Sequence, residues 1–171
     1  MNTYPRVAAI AAAAIIADQL TKLAATNLSS AGPVEPEAWG AAVFSIVPVP
    51  NDGVTGGLAV PRPDLLPAVT VVALVVLLGV SRRVTAGSTI GAALALAGAA
   101  GNLLDRLRVG HVIDFLSVNI GPAQVVLNLA DVALFIGLPM LVLAARTVDG
   151  DASSTGMGRS ADSRVPAAGG S

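Results

Sequence analysis

Four stretches of this chain, at roughly 6–25, 64–81, 88–107 and 123–145, are apolar over close to the ~20 residues that an α-helix needs to cross a ~30 Å hydrocarbon core. Nothing else in the sequence constrains the fold as strongly. Inside a bilayer every backbone N–H and C=O must be satisfied within the chain, so runs of this length span as helices. A water-soluble globule is excluded, because 54% of the 171 residues are hydrophobic and only 12% are charged, against about 25% charged in a soluble domain. Arg6 ahead of the first run resembles the start of a cleavable export signal. However, Asp18 and Lys22 interrupt its second half and no small-x-small cleavage pattern follows a short apolar core, so a retained helix is expected.

The expected fold is therefore an all-α membrane protein of four transmembrane helices with a small extracytoplasmic β-like segment. Arg82 and Arg83 lie between spans two and three, Arg146 closes span four and Arg6 opens span one, which puts that side and both termini in the cytoplasm. The outer side receives two segments, roughly 26–63 and 108–122. Within the first, residues 41–60 combine β-branched residues with Gly-rich turns and predict a strand-and-turn structure on the membrane surface. Residues 1–146 form the membrane domain; 147–171, rich in Gly, Ser, Ala and Asp, predict a disordered cytoplasmic tail.

Ionisable groups inside spans cost about 2.5–3.5 kcal/mol each on insertion scales, so each asks for a reason. Asp18 and Lys22 sit four apart on one helical face, acid first, the favourable order for a pair. Span three ends in GNLLDRL with Asn102, Asp105 and Arg106, and span four opens on LNLAD with Asn128 and Asp131 three apart. Taken singly, these have plain structural readings: a self-neutralised pair with Lys22 snorkelling, a helix-end bridge in which Arg106 neutralises Asp105, an interhelical amide bond for Asn128. Together they share one depth, in the outer leaflet, which separate structural pairs would have no cause to do. Asp114, among Val112, Ile113, Phe115 and Leu116, and Asp131, between Ala130 and Val132, have no basic neighbour in sequence. His111, the single His, cannot form a metal cluster alone and reads as incidental.

Two acids close together in a low-dielectric site cannot both ionise easily; one holds a proton and the pair titrates in separate steps. The ionised member can then take a proton from water attacking a carbonyl while the protonated member supports the oxyanion and later protonates the leaving amine, which is aspartic peptidase chemistry. That chemistry requires neither cofactor nor metal, and the chain has no Cys to supply a thiol nucleophile or thiolate ligands. A Ser–Lys arrangement is disfavoured because Lys22 has no Ser at i±3 or i±4. The net charge of −1 leaves no basic footprint for nucleic acid. Two readings from other classes stay open: a small proton-coupled transporter, and a non-catalytic membrane scaffold.

The ordered set DQLTK (18–22), NDG (51–53), GNLLDR (101–106), GHVIDF (110–115) and LNLAD (127–131) resembles lipoprotein signal peptidase, or signal peptidase II, over about residues 10 to 145. That resemblance implies a catalytic pair of Asp114 and Asp131, with Asp18, Lys22, Asn51, Gly53, Asn102, Asp105, Arg106 and Asn128 as supporting or substrate-binding residues. It also implies a diacylglyceryl-modified prolipoprotein substrate cleaved before its lipidated Cys, with membrane lipid around a monomeric enzyme. Departures from the family pattern occur at Val54, Thr55 and Gly56, where Ala-Ala-Phe usually completes the Asn51 motif after Gly53, at Ala97, where Gly is common, and at Leu127, where Phe often stands.

Overall fold

The structure, a computed structural model, describes residues 4–30, 37–39, 42–53, 61–81, 89–120 and 123–159. In chain order these form α1 (Tyr4–Ser30), β1 (Glu37–Trp39), β2 (Ala42–Asn51), a 3₁₀ turn (Pro63–Leu65) leading into α2 (Leu66–Ser81), α3 (Thr89–Val109), β3 (Val112–Ile120), β4 (Ala123–Leu127) and α4 (Leu129–Arg159). Three helical stretches, Tyr4–Leu28, Pro63–Ser81 and Thr89–Val109, are long and apolar enough to cross a membrane, and α4 adds a shorter apolar stretch, Leu129–Ala144.

The small residues of α3 make it the hub. It packs against α1, α2 and α4, and 56% of its apolar window is buried, against 11% for α1 and 6% for α2. Lipid tails are as apolar as Leu, so association depends on close contact rather than on burial from water. Ala92, Ala93, Ala95, Ala97 and Ala99 supply that contact from α3. A Cβ on Gly98 would run into the carbonyl oxygen of Ala130 and lie 2.7 Å from Leu134 Cγ, and one on Gly137 of α4 would lie 2.5 Å from the Ala95 backbone nitrogen. The Val- and Leu-rich α2, by contrast, leaves Val69, Val72, Val75 and Val76 more than half exposed, as suits a helix facing hydrocarbon.

The β content exceeds what the sequence suggests. β1 to β4 form one antiparallel sheet in the order β1-β2-β3-β4. β2 falls within the expected strand segment 41–60, whose residues 54–60 lie outside the described residues. β3 occupies most of the expected outer segment 108–122, and residues 123–127, expected to begin the fourth span, form β4 instead. The reason is local: Ala123–Leu127 (AQVVL) carries β-branched residues and pairs in register with β3, Leu116 opposite Leu127. The β2–β3 register shifts between Ile46 and Val49, around Pro48, which has no N–H for a ladder bond. Residues 147–159, expected to be disordered, continue α4; a helix already nucleated adds one hydrogen bond for each residue it fixes. The remaining tail, 160–171, and the orienting Arg82 and Arg83 lie outside the described residues.

Gly110, at φ 86°, ends α3 with its N–H bonded to the Arg106 carbonyl at 3.2 Å, the left-handed cap that glycine adopts without Cβ strain. The chain then turns back as β3 across the end of the helical bundle.

Candidate active site

That turn and the β3–β4 hairpin decide which polar groups meet. Asp114 stands on β3 opposite Val49 of β2. Because Leu116 pairs with Leu127, the chain just beyond β4 returns alongside Asp114 and begins α4 there. Asn128 is the N-cap of α4: its Oδ1 accepts the Asp131 N–H at 2.9 Å, which places Asp131 in the first helical turn, at the positive end of the helix dipole.

Asp114 and Asp131 are each only 1% exposed, and two amides link them. Asn128 Nδ2 donates to Asp114 Oδ1 at 2.6 Å and to Asn102 Oδ1 at 3.1 Å, while Asn102 Nδ2 donates to Asp131 Oδ1 at 2.8 Å. Asn51, at the end of β2, donates from Nδ2 to Asp114 Oδ2 at 2.7 Å, and its own Oδ1 accepts the Gly53 N–H at 2.8 Å. Both Asp114 oxygens therefore receive an amide N–H. Burial raises the Asp114 carboxyl from its ordinary 3.8 to about 6, opposed by the Asn51 bond and reinforced by the charge of Asp131.

A second layer lies beneath, on α1 and α3. Lys22, 2% exposed and so buried rather than snorkelling, contacts Asp18 Oδ2 at 2.9 Å and Asp105 Oδ2 at 2.6 Å, and donates to Asn102 Oδ1 at 3.3 Å. One cation thus serves two carboxylates. The expected Asp105–Arg106 bridge gives way to this arrangement, because Arg106, about 100° further round the helix, donates from Nη2 to the Gly53 carbonyl at 2.7 Å. Asp18 Oδ1 accepts the Ala130 N–H in the first turn of α4 at 2.8 Å. The close approach of Asp18 to α3 requires Gly101, where a Cβ would lie 2.8 Å from Asp18 Oδ2.

All ten residues singled out in the sequence are thus drawn into one connected region. Four acids, Asp18, Asp105, Asp114 and Asp131, share the site with the cations Lys22 and Arg106. Gln19 and the backbone N–H groups of Ile113 and Ala130 also take part. They are not legible in the sequence: a Gln beside an ion pair reads as an ordinary solvated side chain, and backbone donors carry no residue signature. From Asn102 and Arg106 a cavity of about 310 Å³ runs along α2, lined otherwise by Leu66, Val69, Thr70, Ala73, Leu77, Ala99, Leu134 and Leu138. Its walls are apolar and its inner end is polar.

Comparison with known proteins gives a consistent result. Residues 10–147 match the family described as signal peptidase (SPase) II. Proteins called lipoprotein signal peptidase are similar over most of their length: one from Sphingopyxis alaskensis is 34% identical, covering 79% of this chain and 82% of that protein. Another, from Pelotomaculum thermopropionicum, is 37% identical over 85% of this chain and 93% of its own length. A bacterial membrane enzyme structure solved by the in meso method at 2.3 Å shares the fold, with a TM-score of 0.70 at 24% identity over 86% of this chain and 91% of that one.

Proposed function

The chain belongs to the signal peptidase II family of membrane aspartic peptidases, and from that premise we propose that Asp114 and Asp131 are the catalytic pair that cleaves diacylglyceryl-modified prolipoproteins just before the lipidated Cys. The observation that carries this reading is the joining of the two buried acids through Asn102 and Asn128. A proton-relay transporter would need titratable groups distributed across the bilayer, whereas the acids of α1, α3 and the start of α4 gather at one end of the bundle and α2 (Leu66–Ser81) carries none.

One acid, ionised, takes a proton from a water whose oxygen attacks the scissile carbonyl. The other, protonated, donates to the carbonyl oxygen as it becomes an oxyanion. Collapse of the tetrahedral intermediate breaks the C–N bond, the released amine of the Cys takes a proton from the pair, and the signal peptide leaves with the new carboxyl group. Asn51 and Asn128 aim the Asp114 oxygens, and the first turn of α4 aims Asp131. The apolar cavity beside Asn102 and Arg106 suits a hydrocarbon chain of the substrate, which keeps its lipid in the membrane phase during cleavage.

In this reading Leu129–Ala144 is the fourth span, both termini are cytoplasmic, as the basic residues Arg6, Arg82, Arg83 and Arg146 favour, and the acids lie near the outer leaflet. A monomeric enzyme is part of this proposal. Purified protein in detergent, incubated with a diacylglyceryl lipobox peptide and followed by mass spectrometry, is expected to cut before the modified Cys; an intact peptide would overturn the reading. Cysteines introduced singly at Ser45 and Ser81 of this Cys-free chain test orientation. An impermeant label on intact cells should reach only the first.

A further inference from the structure

Asp18 and Asp105 share a property that neither motif reveals. Each accepts the backbone N–H of the residue immediately before one of the proposed reacting acids: Asp18 Oδ1 holds Ala130 at 2.8 Å, next to Asp131, and Asp105 Oδ2 holds Ile113 at 3.3 Å, next to Asp114. The distance between these two carboxylates therefore bears on the distance between the backbones of the pair. Two side chains tie them together. Lys22 is one. The other is Gln19, whose Nε2 donates to Asp18 Oδ2 at 3.1 Å and to Asp105 Oδ1 at 3.0 Å.

Gln19 is itself held from outside. Arg108, exposed at the end of α3, donates from Nη1 to Gln19 Oε1 at 2.7 Å. That bond fixes which way the amide points, with oxygen outward to the guanidinium and nitrogen inward to the two acids. It also polarises the amide, strengthening its donation to carboxylates that outnumber the one lysine between them. A neutral side chain in this way carries the influence of a solvated cation to a buried excess of negative charge, without the desolvation cost of a second buried cation.

We propose that Gln19, oriented by Arg108, is a positioning residue that braces Asp18 against Asp105 and so sets the spacing of Asp131 and Asp114. The proposal rests on those two acids being the reacting groups. Gln19→Leu removes the brace without adding charge, and Arg108→Met releases it from the surface, where folding is least at risk. In Gln19→Leu, kcat should fall about tenfold to a hundredfold with KM within about twofold, since small misplacements of reacting groups cost rates of that order. Acids held less tightly together interact less, so the two limbs of the pH profile of kcat/KM should move toward each other. Arg108→Met should do the same by about three- to tenfold, and Arg108→Lys, which keeps a donor, should recover most of it. Hydrogen exchange, which needs no activity, should show faster exchange over both 128–132 and 112–115 in Arg108→Met protein. Should Gln19→Leu fail to accumulate, the Arg108 series decides. Unchanged protection in either segment, or a loss of rate that merely follows the folded fraction with both limbs in place, would overturn the proposal. If wild-type protein did not cleave the lipobox peptide, the peptidase reading would fall while the exchange measurement still judged the brace.

Discussion

The two halves of the α3–α4 contact are built on opposite principles. Toward the start of α3 the helices meet dry, through Gly91 and Ala95 against Gly137, Met140 and Leu141, at distances no side chain could share. Toward its end they meet through Asn102, Asn128 and Asp131, every one at most 5% exposed and hydrogen-bonded. The dry half fixes where the helices lie. The polar half is costly to bury and places chemistry at their ends. Damage to the first should remove protein from the membrane, and damage to the second should leave protein that does not cleave.

The strongest test of that division is at the polar end. Asp114→Asn and Asp131→Asn should each lower kcat by more than about a thousandfold while membrane yield stays near wild type; near-normal turnover in either would remove that residue from the pair. The opposite pattern is expected at the dry end. Gly91→Leu forces a side chain onto Met140 and the Leu141 backbone, away from the acids, an overpacking that costs roughly 1–3 kcal/mol or more. Yield and thermal midpoint should drop sharply, yet the folded remainder should keep wild-type turnover per molecule.

Lys22 lies between these extremes. Lys22→Met strands Asp18 and Asp105 together, and breaking a buried pair costs about 3–5 kcal/mol, so both yield and activity should suffer. Exchanging Asp18 and Lys22 preserves the charge, but a Lys at 18 cannot accept the Ala130 N–H. Yield should recover without activity, and full recovery of cleavage would demote both residues to packing.

A subtler effect concerns pH. Asp114 binds its proton more tightly folded, at about 6, than its ordinary 3.8. The stability associated with that proton is fully present below about 3.8 and lost as pH rises through about 6, at roughly 1.4 kcal/mol per pKa unit. Wild-type thermal midpoints should decline relative to those of Asp114→Asn between pH 4 and 7, and parallel curves would contradict the burial argument. The smallest effect belongs to the far end of α4. Truncation after Arg146 should change turnover by less than about twofold, because the acids sit at the opposite end of that helix; a larger loss in inserted protein would give the tail a role.

How much of this could be read beforehand depended on the kind of signal. The helices α1, α2 and α3 follow from apolar length, since a bilayer leaves few alternatives. The two acids stood out because no basic neighbour adjoins them in sequence. Residues 123–127 read as the start of a span because Val125, Val126 and Leu127 are as apolar in a strand as in a helix; pairing with β3 settles their state. The Lys22–Asp18 bond is an i,i+4 contact and was visible, whereas Lys22–Asp105 spans 83 positions and was not.

The sequence by itself determined that the chain lies in a membrane, that its spans carry acids at a cost, and that Asp114 and Asp131 needed a purpose, because each conclusion depends on the identity of a residue and its immediate neighbours. Only the tertiary structure decided which groups hold those acids. Asn102, Asn128, Asp18 and the Ala130 N–H come together because Gly98 and Gly101 let three helices approach closely and because the β3–β4 register returns the chain to Asp114. Hydrogen bonds act over about 3 Å, and no spacing along the chain states which distant groups will come that near.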